Sequence, residues 1–398
     1  MVLQSHDVSD LCIGKPPVRW LPPSSTVADA IAEIEAGGSR GPDAAVAVWD
    51  GKKGPVLGRV CMVDVHLFLC GGEGNLASPA AALQATLSDL LAAGAPPVRR
   101  IDPDARSHHD VLEAVDAFLD GAHCLVVPIR ERLRRAAAAE MCMCWLTVED
   151  VVRFFVSSIG LFSATASLSV SQLGIVRPAT LAVAAGDRAL SAVPLLRAAL
   201  ATHSSVAVIV TGAGIAPRLA GEVSPLTLCS CDVSVAAAIA ALSAGDLTAF
   251  VHRGAATPSD LRCRLRRRNL HGTVDLLYAG DPSSWPPSPS SSSSSSLSSL
   301  SSFSSSSDDE AEDGFKHYAS APCARRGNRQ IVGMRRPATE ESIACHPGSS
   351  LVAVMAQAIA HRVTQVWVVD ADDGELVGVV RFLDVLWVLR ERLNQPPP

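Results

Sequence analysis

Charged residues are scarce in this sequence. They make up 19% of its 398 residues, and the formal net charge is −6. Five of the negative charges lie in one short acidic run between residues 308 and 313, so the rest of the chain is almost neutral. Because nucleic-acid binding needs a broad excess of Lys and Arg, the composition argues against a nucleic-acid partner.

Long apolar runs and targeting signals are also missing. No run reaches the ~18 residues that a membrane-spanning helix requires, so we expect no membrane association. The N-terminus, Met1 to Asp7, has neither the basic and apolar regions of a secretory signal nor the composition of a transit peptide. We therefore expect a cytoplasmic or nuclear protein.

Patterns of catalytic and metal-binding residues are not recognisable either. The sequence has no Ser-His-Asp, Cys-His or nucleophile-elbow pattern, and we expect a protein without enzymatic activity and without a cofactor. Its eleven Cys include two C-x-C pairs, Cys142 with Cys144 and Cys229 with Cys231, instead of the C-x-x-C of metal sites. We interpret the cysteines as reduced, buried thiols and expect no metal.

What the sequence does contain is one α/β pattern that recurs four times. In each copy an amphipathic helix is followed by an apolar strand, a loop and a closing strand that leads to a polar stop. Apolar residues make up 48% of the chain, which is enough for two ordinary cores. In chain order, the helices are predicted at 26–37, 110–118, 189–200 and 350–359, the first strands at 45–48, 124–129, 205–210 and 365–370, and the closing segments at 58–64, 144–150, 221–227 and 378–384.

The spacing of the four closing positions indicates an insertion. These positions are Asp64, Asp150, Thr227 and Asp384, and the last interval is about twice as long as the others. It contains a tract of almost pure Ser, which the acidic run follows. Such a segment cannot bury enough apolar surface to offset its ordering entropy, so we predict a disordered insert at 280–335.

The repeated pattern, with its closing Gly-φ-φ-[Ser/Thr]-x-x-Asp (φ, apolar), resembles the CBS repeat. The opening Val8–Leu11 and Gly14–Pro17, together with the late Val352–Val363 and Val366–Val369, resemble plant stand-alone CBS-domain proteins that carry four repeats and no enzyme domain. Pairs of CBS repeats form Bateman modules, here 8–158 and 170–392. The resemblance implies repeats at 8–72, 95–158, 170–232 and 338–392, a helical extension at 233–279, the insert at 280–335, and buried valines at Val46, Val48, Val126, Val208 and Val368.

The resemblance also implies a ligand of the adenosine type, such as AMP, ADP, ATP or S-adenosylmethionine, in the cleft between paired repeats. In the family the closing Asp binds the ribose hydroxyls, and the Ser or Thr lies beside the phosphates. Only the second copy keeps both groups, Thr147 and Asp150, and it is our leading candidate. The weaker candidates are Asp64, which has Cys61 at the hydroxyl position, Ser224, which has Thr227 at the acid position, and the pair Arg381 and Asp384.

The adenine positions of the second copy are Ile101 and Pro103, with Val126 and Pro128 on the other side, again by resemblance. A plainer interpretation remains open. Thr147 is also a good helix N-cap, Asp150 is a good first-turn acid, and CBS repeats without a nucleotide are common.

Two other motifs have simple explanations. Thr211–Ala216 lacks the third glycine of a dinucleotide-binding loop, and Pro217 interrupts the expected helix start, so we predict a loop between two strands. Arg262–Arg268 is a dense basic cluster. It is typical of a solvated helix face, while a nuclear localisation signal or a contact with the acidic insert remains open.

We therefore expect a non-catalytic regulator that binds an adenosine ligand and changes its fit to a partner protein. The resemblance suggests a thioredoxin-type enzyme or a kinase as partner and leaves a homodimer open. The alternatives are a ligand-free scaffold that is regulated through its insert and an SNF1-type kinase γ subunit. The degenerate closing positions weigh against the γ subunit.

The insert also carries candidate phosphorylation sites. Ser305, Ser306 and Ser307 each have an acidic residue three positions later, which acidophilic kinases favour. Each phosphate would add about −1.5 to −2 charge to a segment that is already acidic. We expect phosphorylation to draw the insert towards the basic run 262–268, although a plain linker role remains open.

Overall fold

The computed structural model describes residues 7–38, 41, 43–51, 54–101, 111–128, 143–212, 215–254, 256–278 and 342–394. The predicted insert, its three candidate serines and Pro103 lie outside these residues. Within the described ranges, no helix combines the length and apolar composition needed to cross a bilayer.

The strands form four separate sheets of three strands each, one for each copy of the sequence pattern. In every sheet the first strand runs parallel to the second, and the second runs antiparallel to the third. The strands are β1 Arg19–Leu21, β2 Ala45–Val48, β3 Gly58–Cys61, β4 Val98–Arg100, β5 Cys124–Pro128, β6 Met143–Leu146, β7 Ala182–Ala184, β8 Val206–Gly212, β9 Ile215–Val223, β10 Ala344–Cys345, β11 Gln365–Val369 and β12 Leu376–Arg381.

Fifteen α-helices lie in the described ranges and surround these sheets. They are α1 Val27–Ala36, α2 Met62–Cys70, α3 Glu73–Ala77, α4 Pro79–Leu83, α5 Leu87–Ala92, α6 Val111–Leu119, α7 Val148–Ser157, α8 Ser163–Ala166, α9 Val193–Ala201, α10 Pro225–Leu228, α11 Ser234–Ala241, α12 Ala244–Arg253, α13 Pro258–Arg267, α14 Leu351–His361 and α15 Phe382–Asn394. Four 3-10 helices, Val8–Cys12, Ile159–Phe162, Ala189–Ala192 and Gly272–Leu277, complete the set. The predicted α/β fold class is confirmed.

The closing segments are shorter as strands than the sequence pattern suggested. We expected strands as far as residues 64 and 150, but β3 ends at Cys61 and β6 ends at Leu146. The acids Asp64 and Asp150 lie instead in the first turns of α2 and α7, where each side chain accepts the backbone N–H of the N-cap residue. This reciprocal capping box stabilises helix over strand at these positions.

Sheets pair face to face within each half of the chain. The first and second sheets share a core that includes Val46 and Val126, and the third and fourth meet around Ala207 and Trp367. Glu222 of β9 accepts a hydrogen bond of 2.7 Å from the indole N–H of Trp367. The valines expected to be buried by pairing are all fully buried, as predicted: Val46, Val48, Val126, Val208 and Val368.

Helices join the two pairs of sheets to each other. α2 of the first repeat packs against α9 and α10 of the third and against α11, which follows that repeat, and α15 of the fourth packs against α6 and α7 of the second. The two largest cores therefore run across the modules: one joins repeats 1 and 3 and includes one face of the second sheet, and the other joins repeats 2 and 4.

Several segments pack away from their neighbours in sequence. The 3-10 helix Val8–Cys12 begins the range predicted for the first repeat, 8–72, but packs on β5, β6 and α7 of the second. The stretch predicted as a helical extension contains α11, all of whose side chains are buried. In α13, Leu261 and Leu265 face inward, which leaves most of its arginines towards solvent. The loop predicted at 211–216 is mostly strand, because Thr211 and Gly212 end β8 and Ile215 and Ala216 begin β9, while residues 213–214 lie outside the described ranges.

Candidate ligand-binding clefts

The closing acid of the second repeat lies beside a cleft of the first module. Thr147 donates to Asp150 Oδ2 from its backbone N–H and from its hydroxyl, each at 2.7 Å. Lys15 Nζ reaches the same oxygen at 2.8 Å and Asp43 Oδ1 at 3.0 Å. Burial lowers the pKa of Lys15, but the two carboxylates outweigh burial, and the net pKa is raised. Lys15 is therefore charged and holds two acids from different repeats.

The adjoining cavity has a volume of about 250 Å³ and lies between the paired repeats. The first repeat contributes the segment that leads into β1, the end of α1 and the start of β2, and the second contributes Trp145. The lining residues are Lys15, Pro16, Pro17, Arg19, Ala36, Gly37, Asp43, Ala44, Ala45 and Trp145. A cavity lined by two cations, Lys15 and Arg19, and by the aromatic ring of Trp145 can hold a small anionic ligand.

The second module repeats this layout. Arg177 Nε donates to Asp384 Oδ1 at 2.9 Å, as Lys15 does to Asp150. Arg381 adds two hydrogen bonds to the same carboxylate, at 2.8 and 3.0 Å. The neighbouring cavity of about 240 Å³ is lined by Arg177, Trp367 and Arg381 among others. Asp384 is only 4% exposed, and Arg177 and Arg381 both donate hydrogen bonds to its carboxylate.

The closing acid of the first repeat has no open cleft. Asp64 is 8% exposed, and Cys61 donates to its Oδ2 from the backbone N–H and from the thiol, each at 2.9 Å. Burial raises the pKa of Asp64, although the Cys61 hydrogen bonds and the neighbouring Arg59 oppose that rise. Arg59 is itself buried and lies 5.7 Å from the centroid of the Trp145 ring. These groups form a compact buried cluster.

The closing segment of the third repeat is also filled. Ser224 is the N-cap of the short helix α10, and both Ser224 and Thr227 are buried. The cavity beside them measures only about 10 Å³. That volume is about the size of one water molecule, so this position has no room for a nucleoside.

A fourth cavity of about 50 Å³ lies where all four repeats meet. Thr147 lines it from the second repeat, and Arg59, Cys229 and Thr364 line it from the other three. His203 stacks on His123 with ring centroids 4.7 Å apart. Burial lowers the pKa of His203 to about 4, which leaves it neutral at pH 7.

Comparisons with known proteins agree with this architecture. A model of the CBS domain matches residues 329–391, which contain the fourth sheet. The chain is 35% identical to CBS domain-containing protein CBSX5 of Arabidopsis thaliana, and the similarity covers 98% of each chain. It belongs to the CBSX group of CBS-domain-containing proteins. A second relative, CBS domain-containing protein CBSX6 of the same plant, is 23% identical over 96% of this chain and 92% of its own.

One solved structure shows the same fold as the CBSX chain. It is protein MJ1225 of Methanocaldococcus jannaschii, described as a candidate archaeal homologue of g-AMPK. The TM-score is 0.52 at 14% identity, and the match covers 96% of this chain and 100% of that one. At this identity the match supports the four-repeat CBS architecture and nothing about the ligand.

The structure separates the residues that CBS resemblance had grouped into one site. Asp150 lines none of the four described cavities itself but is ion-paired with Lys15, which lines the first cleft, and Thr147 lines the central cavity. Ile101, Val126 and Pro128 are buried and line none of the four described cavities. We did not single out Lys15 and Arg177 from the sequence. A signal was present, since each is a cation directly followed by proline, ahead of the first strand of its module.

Proposed function

We propose that this CBSX protein is a non-catalytic regulator that binds an adenosine-type ligand in the cleft beside Lys15 and Asp150. The proposal rests on one observation: Lys15, which lines a cavity of about 250 Å³ between two paired repeats, is ion-paired with the closing acid Asp150. This volume is slightly below the roughly 300 Å³ at which small-molecule sites usually begin. The second cleft, where Asp384 is held by two arginines, is the weaker site for a ribose.

The chemistry of the cleft suits the two ends of a nucleotide. A carboxylate can accept two hydrogen bonds from the cis-diol of a ribose, and an ammonium group attracts phosphate. In the ligand-free state Lys15 lies on Asp150 Oδ2. Binding exchanges this contact, because Lys15 turns to the phosphate while Asp150 takes the ribose hydroxyls. The ligand thus replaces an internal ion pair with two contacts of its own.

A ligand in this cleft can act on the shape of the module. The cavity is lined from both repeats, so the ligand has differential affinity for arrangements in which the repeats lie closer or farther apart. The altered surface then changes its fit to a partner protein. By family resemblance, that partner is a thioredoxin-type enzyme or a kinase.

Titration calorimetry with adenosine, AMP, ATP and S-adenosylmethionine tests the site directly. Asp150→Ala should weaken binding of every ribose-bearing ligand roughly ten- to a hundredfold, because a charged hydrogen bond of ~1.5–3 kcal/mol is lost. Lys15→Ala should weaken AMP and ATP but not adenosine or S-adenosylmethionine, which have no phosphate. Equal losses for all four ligands in the Lys15 variant would overturn its role.

The matched control is Asp260→Ala. Asp260 caps α13 as Asp150 caps α7, since it accepts the N–H and the hydroxyl of Thr257. It is remote from the cleft, so its loss should cost helix stability alone and leave the affinities unchanged. Equal effects of the two substitutions on binding would show that Asp150 acts only as a cap.

A ligand-free scaffold is the second candidate, and one observation favours it. The carboxylates of Asp64 and Asp384 already receive hydrogen bonds from the chain itself. If the wild-type protein gives no binding heat with any of the four ligands, the scaffold is the better account. The repeats then serve only to hold a surface for a partner protein.

A further inference from the structure

Two thiols from different modules lie in contact. Cys61 ends β3 and is the N-cap of α2 in the first repeat, whereas Cys229 is the C-cap of α10 in the third. Their sulfur atoms are 3.5 Å apart, although 168 residues separate them in the chain. A disulfide requires about 2 Å between sulfurs, so a small shift would allow a bond to form.

The surroundings of this pair favour a thiolate. Arg59, buried beside the pair, donates to Cys61 Sγ at 3.7 Å. The pKa of Cys229 is lowered, because Cys61 hydrogen bonds to its sulfur and the charge of Arg59 lies close by. The pKa of Cys61 is raised by the same hydrogen bond, by burial and by Asp64. The lowered pKa makes Cys229 the better nucleophile, and Cys61, whose thiol proton lies towards Asp64, is the second thiol that completes the bond.

A small oxidant can reach the pair through the central cavity. Cys229 and Arg59 both line this space of about 50 Å³ where the four repeats meet. A peroxide is little larger than the water that such a volume accommodates. Larger reagents would be excluded, which makes the pair selective for small oxidants.

We propose that Cys61 and Cys229 are a modification site at which hydrogen peroxide forms a reversible disulfide that joins the two modules. The Cys229 thiolate attacks one peroxide oxygen, the O–O bond breaks, and hydroxide leaves. The Cys61 sulfur then attacks the resulting sulfenic acid, and water leaves with the Cys61 proton, which Asp64 at 2.9 Å can relay. In total, two thiols and one peroxide give one disulfide and two waters.

The bond would change how the modules are held. Repeats 1 and 3 are joined here only by side-chain packing and hydrogen bonds, and the cross-link would prevent their separation. It would also withdraw the Cys61 thiol from Asp64 and remove one of the hydrogen bonds to that carboxylate. This inference stands apart from the adenosine ligand proposed above, because neither sulfur lines the cleft beside Asp150.

The test treats the purified full-length protein with hydrogen peroxide and maps disulfides by mass spectrometry without reduction. We expect a Cys61–Cys229 peptide pair as the main product, faster migration on a non-reducing gel, and a rise in Tm of roughly 5 °C. A dithiol reductant should reverse all three. Cys263 is exposed on α13 and reports whether the oxidant has acted.

The variants sharpen the result. Cys61→Ala and Cys229→Ala should each abolish the cross-link and the Tm shift. Cys70→Ser is the matched control, because Cys70 lies buried in α2 and its thiol donates to the Ala236 carbonyl across the interface. It should keep both effects. Oxidation of Cys263 in the wild-type protein without a Cys61–Cys229 peptide would overturn the proposal, even if the alanine variants fail to fold.

Discussion

The two contacts that join the modules are built from different side chains. Between repeats 2 and 4 the core is made of large apolar groups, among them Phe118, Phe155 and Phe382, all fully or almost fully buried. Between repeats 1 and 3, α11 offers a surface of small side chains, and polar groups are buried beside it. His66 contacts the Asp232 carbonyl at 2.9 Å, and Cys70 donates to the Ala236 carbonyl at 3.5 Å.

Because of this difference, the two contacts should respond differently to pH and to oxidants. An apolar interface stabilises through buried area and is indifferent to pH and oxidants. Buried polar groups need specific partners and can titrate or react. The contact between repeats 1 and 3 contains the thiol pair, the buried arginine and a histidine, while the contact between repeats 2 and 4 supplies packing. We therefore expect changes of condition to act mainly on the former.

The largest expected effect is on the apolar side. Phe155→Ala should lower the free energy of unfolding by about 3–5 kcal/mol, because a fully buried ring is replaced by a cavity. Urea unfolding at pH 7 measures this loss, and the same loss should appear at pH 5. Phe155→Leu, the conservative control, should cost less than about 1.5 kcal/mol. A loss that depends strongly on pH would contradict the view that the contact between repeats 2 and 4 is insensitive to pH.

The polar side should respond to acid. Burial lowers the pKa of His66 from 6.5 to about 4, with partial opposition from its hydrogen bond to Asp232. Between those values the unfolded chain binds a proton that the folded protein does not, so stability falls as pH decreases from 6.5 towards 4. His66 should account for a loss of about 2 kcal/mol in the free energy of unfolding between pH 7 and pH 5.

Substitutions can isolate the contribution of His66 to the pH dependence of stability. His66→Gln, which keeps a donor towards Asp232, should reduce the difference in urea stability between pH 7 and pH 5. His271→Gln is the control, because His271 is exposed and should leave the difference unchanged. His203 lies in the same pH range, with burial lowering its pKa to about 4, so part of the dependence should persist. An unaltered difference in the His66 variant would contradict its assignment.

The smallest effect is expected at the rim of the apolar side. Arg390 of α15 holds Asp116 of α6 through hydrogen bonds of 2.7 and 2.9 Å. Both side chains are partly exposed, so solvent and salt screen the pair. Asp116→Asn should therefore cost less than about 1 kcal/mol, and less again at high salt. A loss comparable to that of Phe155→Ala would show that charge, and not packing, anchors this half.

Local patterns accounted for most of the elements. The helix that begins after Thr26, the strands near 45–48 and 365–369, and the capping acids of α2 and α7 follow from periodicity and short-range hydrogen bonds. The closing strands were predicted too long, because a strand pattern and a capping box overlap at Asp64 and Asp150. In the structure the capping box prevails, since its hydrogen bonds form within four residues.

The contact partners of the site residues could not be predicted from local sequence patterns. Lys15 meets Asp150 because Val8–Cys12 packs on the second sheet, and Arg177 meets Asp384 across 207 residues. Ile101 and Val126 have the apolar character of a ligand wall, and the structure shows both of them buried in the cores. Apolar character is identical in the two roles, and only the position of neighbouring elements distinguishes them.

The sequence by itself determined the repeat, its four copies and the local order of helix and strands, because these depend on contacts between near neighbours. It also determined that the third repeat lost its acid, at Thr227. Only the tertiary structure decided that the modules join as repeats 1 with 3 and 2 with 4, that Lys15 and Arg177 reach the closing acids, and that Cys61 meets Cys229. These contacts form only when whole apolar faces are buried together, so they depend on how the complete chain packs.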